Sequence, residues 1–83
     1  MTFFYTYILK SLKDKKTTYV GYTKNIKNRL KLHNCGKGAK FTRGRKWILI
    51  YKEKFKTKNE AMSREYIIKN NRKIRNFIIK KYL

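Results

Sequence analysis

From Phe3 to Leu9 the chain runs through aromatic, β-branched and aliphatic residues without a charge, the composition of a β-strand. Leu12-Lys13-Asp14-Lys15-Lys16 is polar and turn-like. Thr17 to Thr23, carrying Tyr19, Val20 and Tyr22, reads as a second strand returning in a hairpin. The period then changes. Asn25 suits an N-cap, and Ile26, Leu30 and His33 recur at helical spacing as far as Cys35-Gly36. Gly36 to Lys46 holds three of the four glycines and five basic residues, a basic surface loop. Trp47 to Phe55 is a third strand whose alternation places Trp47, Leu49, Tyr51 and Phe55 on one face. Thr57-Lys58-Asn59-Glu60 fits a capping box, opening a helix through about Asn70. Ile74, Phe77 and Ile78, with Tyr82, give a last amphipathic helix whose apolar side is expected in the core. The order ββαβαα describes a small α+β domain with an antiparallel sheet.

Length and composition sharpen this picture. Eighty-three residues are expected to form one domain, residues 1–83, with room for one small core. At 41% apolar and 16% aromatic the chain is too rich in core formers for a disordered basic tail. No run of about 18 apolar residues could span a bilayer. The N-terminus lacks the basic-then-apolar pattern of a signal peptide. One cysteine, Cys35, excludes an internal disulfide framework and any Cys-rich zinc finger. An intracellular setting is the expectation.

The formal charge is 24 − 4 = +20. Lysine outnumbers arginine 18 to 6, a skew that an AT-rich genome would produce, but such bias does not explain why only four acids remain. A domain so charged repels itself and attracts polyanions, which makes nucleic acid the first expected partner, ahead of an anionic membrane surface.

The four acids can be taken in turn. Asp14 sits in the hairpin turn, where Asp is a common turn former. Glu60 completes the capping box and can pair with Arg64 at i+4. Glu53, between Lys52 and Lys54, suits a surface ion pair and stays a rival candidate site. Glu65 lies four residues after Ala61 and three before Ile68, on the stripe a helix turns inward. Two readings stand: an i,i+4 pair with Lys69, or a metal ligand at the core edge. Mg²⁺ keeps several waters and takes substrate phosphate oxygens, so one carboxylate could suffice. A two-metal cluster could not be assembled from four scattered acids.

Arg29 and His33 form an i,i+4 pair on one face of the first helix. Each has an ordinary alternative, a solvated arginine and a core-edge histidine. Tyr5 and Tyr7 share strand parity, and whether Tyr19 faces them depends on the hairpin register, which the sequence leaves open.

These residues together resemble the GIY-YIG nucleases. Tyr5-Thr6-Tyr7 is similar to the GIY tripeptide in a Tyr-x-Tyr form, and Tyr19-Val20-Gly21 to YIG, with eleven residues between Tyr7 and Tyr19. Arg29 follows Gly21 by eight residues, where the family carries its arginine. His33-Asn34-Cys35-Gly36-Lys37-Gly38-Ala39-Lys40-Phe41-Thr42-Arg43-Gly44-Arg45 is similar to the compact single-domain branch, which includes small bacterial proteins and the nuclease domain of junction endonucleases. Glu60-Ala61-Met62-Ser63-Arg64-Glu65 resembles the helix that presents the family's single metal-binding glutamate, which falls on Glu65. Tyr5 replaces the glycine of GIY, and Val20 the isoleucine of YIG.

The resemblance implies a three-stranded antiparallel sheet flanked by helices and a metal-dependent DNA endonuclease, structure-directed or weakly sequence-specific, working in repair, recombination or processing. The alternative is a non-catalytic nucleic-acid-binding module of the same fold. In the nuclease reading Glu65 holds one Mg²⁺ or Mn²⁺ and Tyr19 is the general base with Tyr7 beside it. Arg29 stabilises the transition-state phosphate, and His33 orients the water or a phosphate oxygen. Lys37, Lys40, Arg43 and Arg45 would track the DNA backbone, which gives affinity without sequence reading. Specificity would fall to a protein partner, and no membrane is expected.

Overall fold

The computed structural model describes residues 2–14 and 16–82; Lys15 of the predicted turn and the side chain of Tyr82 lie outside the described residues. Its elements are β1 (Phe4–Ser11), β2 (Thr18–Thr23), α1 (Ile26–Asn34), β3 (Trp47–Phe55), α2 (Lys58–Asn70) and α3 (Arg72–Tyr82), in the order the sequence predicts. The three strands form one antiparallel sheet in the order β2-β1-β3. β1 takes the centre and pairs along both of its edges. Thr6, Tyr7, Ile8 and Leu9 are all buried, which requires cover on both faces.

The hairpin turn is organised by Asp14. Its carboxylate accepts the backbone N–H groups of Lys16 (2.9 Å) and Thr17 (2.7 Å) and the Thr17 hydroxyl (2.8 Å). Arg45 reaches back to the same carboxylate at 2.7 Å, tying the long loop to the turn. The hairpin register sets Tyr7 opposite Gly21 and Leu9 opposite Tyr19. Directly opposed residues share a face, so Tyr7 and Tyr19 are diagonal neighbours on the same side of the sheet.

The sheet separates two apolar clusters. On one face Tyr7, Leu9 and Trp47 pack with Tyr19, Leu49 and the α1 residues Ile26 and Leu30. On the other Ile8 and Val20 pack with Ile68 of α2 and Ile78 of α3, joined by Ile50, Tyr51, Ile74 and Ile79. A single face for Trp47, Leu49, Tyr51 and Phe55 does not hold. Leu9 pairs with Leu49 but Ile8 with Tyr51, so Ile50 is an extra residue in a bulge. A bulge shifts side-chain parity by one, sending Trp47 and Leu49 to the α1 cluster and Tyr51 to the opposite one.

Both predicted caps form. Asn25 accepts from Asn28 N–H at 3.0 Å, and Thr57 and Glu60 make the reciprocal capping box. Asn71 separates α2 from α3, its side chain accepting from Ile74 N–H at 3.1 Å. The buried Thr6 hydroxyl donates to the Ala61 carbonyl at 2.8 Å, fixing α2 over the central strand. Ala61 is itself fully buried, its small side chain permitting the close approach. Phe77 departs from expectation: it is 72% exposed, while Ile74 and Ile78 alone supply the inward side of α3 at those positions. Ile74 and Ile78 are one turn apart, and Phe77 is rotated off their stripe.

Candidate active site

Most of the residues expected to carry chemistry gather in a small polar cleft at the β2 edge. Tyr7, Tyr19, Gly21, Tyr22, Thr23, Arg29 and Glu65 line a cavity of about 270 Å³. Strands β1 and β2 supply the tyrosines, α1 supplies Arg29, and α2 supplies Glu65 one turn beyond the anchored Ala61. Four of the five residues expected to be catalytic therefore meet at one opening. His33 does not reach it.

His33 is fully buried behind Tyr7. Its Nε2 lies 2.9 Å from the Tyr7 hydroxyl and its Nδ1 2.9 Å from the Thr42 hydroxyl. Burial, aided by the positive charge of Arg29, holds the imidazole below the ordinary histidine pKa, so the ring is neutral. Proton positions are assigned from the network. The Thr42 hydroxyl donates to the Ala39 carbonyl at 2.9 Å and accepts the Ala39 N–H at 3.2 Å. With its proton so placed, Thr42 accepts from Nδ1–H, which leaves Nε2 bare to accept from the Tyr7 O–H. Every group in this chain is then paired.

Burial pushes the Tyr7 phenol up to about 12; Arg29 opposes this, and the neighbouring Tyr19 and Glu65 add to it. Tyr7 is thus a protonated donor whose hydrogen points inward to His33. The cleft sees only its oxygen lone pairs. Tyr19, half-buried, packs its ring on the His33 ring at 4.9 Å and stays at the opening.

Arg29 is half-buried. Its Nη2 donates to the Gly38 carbonyl at 3.3 Å, while its Nε is buried without a partner. The guanidinium is therefore held by the loop that follows α1 and retains donors for an anion at the cleft.

The four carboxylates divide sharply. Asp14 is taken by its turn and Arg45, and Glu60 by the capping box. Glu53 accepts from the Tyr51 hydroxyl and pairs with Arg64 at 3.3 Å. Arg64 thus joins Glu53 across the strand–helix interface rather than Glu60 along the helix. Glu65 makes no ion pair or side-chain hydrogen bond among the described residues, and Lys69 lies instead over the Tyr19 ring, 5.9 Å from its centroid. The Glu65–Lys69 pair does not form because position 69 faces the edge strand's aromatic. An unengaged carboxylate suits one hard cation that fills its shell with water and phosphate oxygens, while the neighbouring arginine suits the phosphate itself. No group of three His, Cys, Asp or Glu gathers among the described residues.

Lys37, Lys40 and Arg43 stand exposed on the long loop. Arg45 differs, being committed to Asp14 and to the Ser11 hydroxyl at 3.3 Å. The loop is also more than a basic surface. Thr42 is fully buried, the Trp47 indole N–H donates to its carbonyl at 3.0 Å, and Gly38 lies directly on the His33 ring. Nothing in the sequence pattern singled out Thr42, Gly38 or Phe41; a threonine in a Gly/Lys segment reads as solvent-exposed.

The chain is similar to known proteins over most of its length. The family described as the GIY-YIG catalytic domain matches residues 3–77. A UPF0213 protein of Staphylococcus haemolyticus is 52% identical over 66 residues, 78% of each chain. A UPF0213 protein of Clostridium perfringens is 54% identical over 66 residues, 78% of this chain and 69% of the relative. The solution NMR structure of a UPF0213 protein from Bacillus halodurans superposes with a TM-score of 0.55 at 38% identity, covering 96% of this chain and 86% of that one. No helix among the described residues is long and apolar enough to cross a membrane. With a match over most of its length, the chain belongs to the GIY-YIG family of nuclease domains.

Proposed function

We propose that the protein is an endonuclease that hydrolyses DNA phosphodiester bonds with one divalent ion, Mg²⁺ or Mn²⁺, held by Glu65. The observation that carries this reading is the placement of Glu65, the one acid without a structural partner among the described residues, in the same cleft as Tyr19 and Arg29. The bound cation would neutralise charge on the scissile phosphate and its leaving oxygen.

The chain's own residues do the rest. Tyr19 presents its phenol at the opening and takes a proton from the attacking water. Tyr7 cannot share that task, because its phenol ionises only at about 12 and its proton is committed to His33. Its oxygen instead accepts a hydrogen bond from the cleft and orients the donor. Arg29 places its free N–H groups against the phosphate as negative charge develops. His33 acts behind Tyr7 and not on the phosphate. Lys37, Lys40 and Arg43 hold the flanking backbone. Arg45 has a smaller part in this, since Asp14 already neutralises it. Such contacts favour DNA shape over sequence, which suits repair or processing of unusual structures, with any sequence choice supplied by a protein partner.

The test is a panel of linear, nicked, flapped, branched and single-stranded DNA with and without Mg²⁺, run beside Glu65→Ala. Metal-dependent nicking that vanishes in Glu65→Ala while binding persists supports the assignment. Cleavage at the wild-type rate in that variant overturns the site. A wild-type protein that binds every substrate and cuts none would be the binding module instead.

A further inference from the structure

A second concavity shares Tyr19 with the cleft. It encloses about 480 Å³ and is lined by Lys16, Thr17, Thr18, Tyr19, Val20, Phe41, Lys69 and Arg75. Tyr19 is common to both cavities, so whatever fills this groove adjoins the reaction cleft.

Two features of the groove call for a ligand. Phe41 is 59% exposed although it sits in a loop whose next residue is fully buried. Its ring stacks on Tyr19, at 6.2 Å between centroids and 24° between planes, which offers an apolar platform next to a residue of the cleft. The remaining wall carries three cations, Lys16, Lys69 and Arg75, and no carboxylate. Arg75 is braced by its bonds to the Ile68 and Lys69 carbonyls (3.4 and 2.7 Å), so its charge is fixed at the α2–α3 junction. An aromatic plane rimmed by cations beside hydroxyls matches a nucleotide, with a π-face for the base and positive charge for the flanking phosphates. An apolar peptide would leave the cations unmatched.

We propose that this groove is a nucleotide subsite in which an unpaired base of the substrate strand stacks on Phe41. The identity of that base as the one beside the scissile phosphate rests on the nuclease reading of the adjoining cleft. A base within a duplex has both faces covered by its neighbours and cannot lie on Phe41. The substrate is therefore single-stranded, or unpaired at a branch, where it passes Tyr19.

The experiment measures binding in EDTA by fluorescence anisotropy, so that cleavage plays no part. The probes are a labelled oligothymidylate, an abasic strand of equal length and charge, and the matched duplex. The wild type should hold oligothymidylate about tenfold more tightly than the abasic strand, the order expected for one stacked base. Phe41→Ala should abolish that ratio and Phe41→Trp should keep it, with thermal melting confirming that both fold. Equal affinity for the base-bearing and abasic strands, a ratio unchanged in Phe41→Ala, or tighter binding of the duplex would overturn the subsite. Should no substrate be cut while the base-dependent ratio stands, the nuclease reading fails and the subsite survives.

Discussion

Tyr7 lies across Gly21 so closely that any side chain there would have to displace it. A Cβ at position 21 would come 2.6 Å from the Tyr7 hydroxyl oxygen and 2.8 Å from Cζ, and 3.1 Å from Cε2 of Tyr19. The hairpin pairs these two positions directly, so the empty side of Gly21 is the space the phenol occupies. The glycine is there for this contact.

Gly21→Ala is accordingly expected to displace the Tyr7 ring and break its bond to His33. Overpacking of this kind costs about 1–3 kcal/mol, and cleavage should fall further than stability does. Thermal denaturation and cleavage rate, measured on the same preparation, check it. A variant with wild-type values for both would show that Tyr7 moves aside at no cost.

Thr42 is expected to control the tautomer of His33. Thr42→Val removes the acceptor for Nδ1–H and should cost about 1–3 kcal/mol, the usual penalty for an unpaired buried donor. His33 is the single histidine, so ¹⁵N NMR reads it without assignment. The wild type should show a protonated Nδ1 and a bare Nε2, Thr42→Ser should retain that pattern, and Thr42→Val should lose it. A wild-type ring protonated on Nε2 would reverse the direction of the Tyr7 bond.

The His33–Tyr7 bond should contribute in full only within a pH window. The imidazole pKa is lowered in the folded chain from the ordinary 6.5, so the unfolded chain binds that proton first. Its contribution is complete above 6.5 and is lost as pH falls through the folded value. The Tyr7 phenol is raised from 10.0 to about 12, so its contribution is complete below 10.0 and is lost as pH rises through about 12. Proton NMR of the histidine should give a midpoint below 6.5, and alkaline difference spectra should show late-ionising tyrosines, Tyr7 and the partly buried Tyr51, with one fewer in Tyr7→Phe. A histidine midpoint above 6.5 would contradict the burial of the ring.

Arg29→Lys keeps the charge but loses the planar fork and the bond to Gly38. Cleavage should fall about 10²–10³-fold, as for removal of one transition-state donor. Tyr19→Phe removes the base and should cost about 10²–10⁴-fold. In both, binding in EDTA should change little. Losses in binding that match the losses in rate would place these residues in grip rather than chemistry.

Much of the candidate site was legible before the fold. The Tyr-x-Tyr and Tyr-Val-Gly tripeptides, Arg29 and Glu65 stood out through their resemblance to the GIY-YIG family, whereas spacing alone left Glu65 open between a pair with Lys69 and a metal ligand. Scarcity of acid helped, because with four carboxylates and two in turn and cap positions the rest could be weighed singly. His33 was legible as an i+4 partner of Arg29 and, alternatively, as a core-edge histidine, but not as the link between Tyr7 and Thr42, since helical spacing says which face a residue shares and not what it meets there.

What the sequence determined by itself is local. Strand composition, helical periodicity, caps and the turn aspartate depend on residues within a few positions of one another, and they set all six elements in order. The tertiary structure decided what depends on distant neighbours. The bulge at Ile50 turned Tyr51 away from Trp47 because β1 holds the register, and Arg64 chose Glu53 over Glu60 because the sheet brought it within reach. Only packing could reveal that Thr42, in a loop of lysines and glycines, closes the hydrogen-bond chain behind Tyr7. That contact joins residues 35 positions apart, from Tyr7 through His33 to Thr42, and it is held by burial of Thr42 and by the bond from the Trp47 indole to its carbonyl.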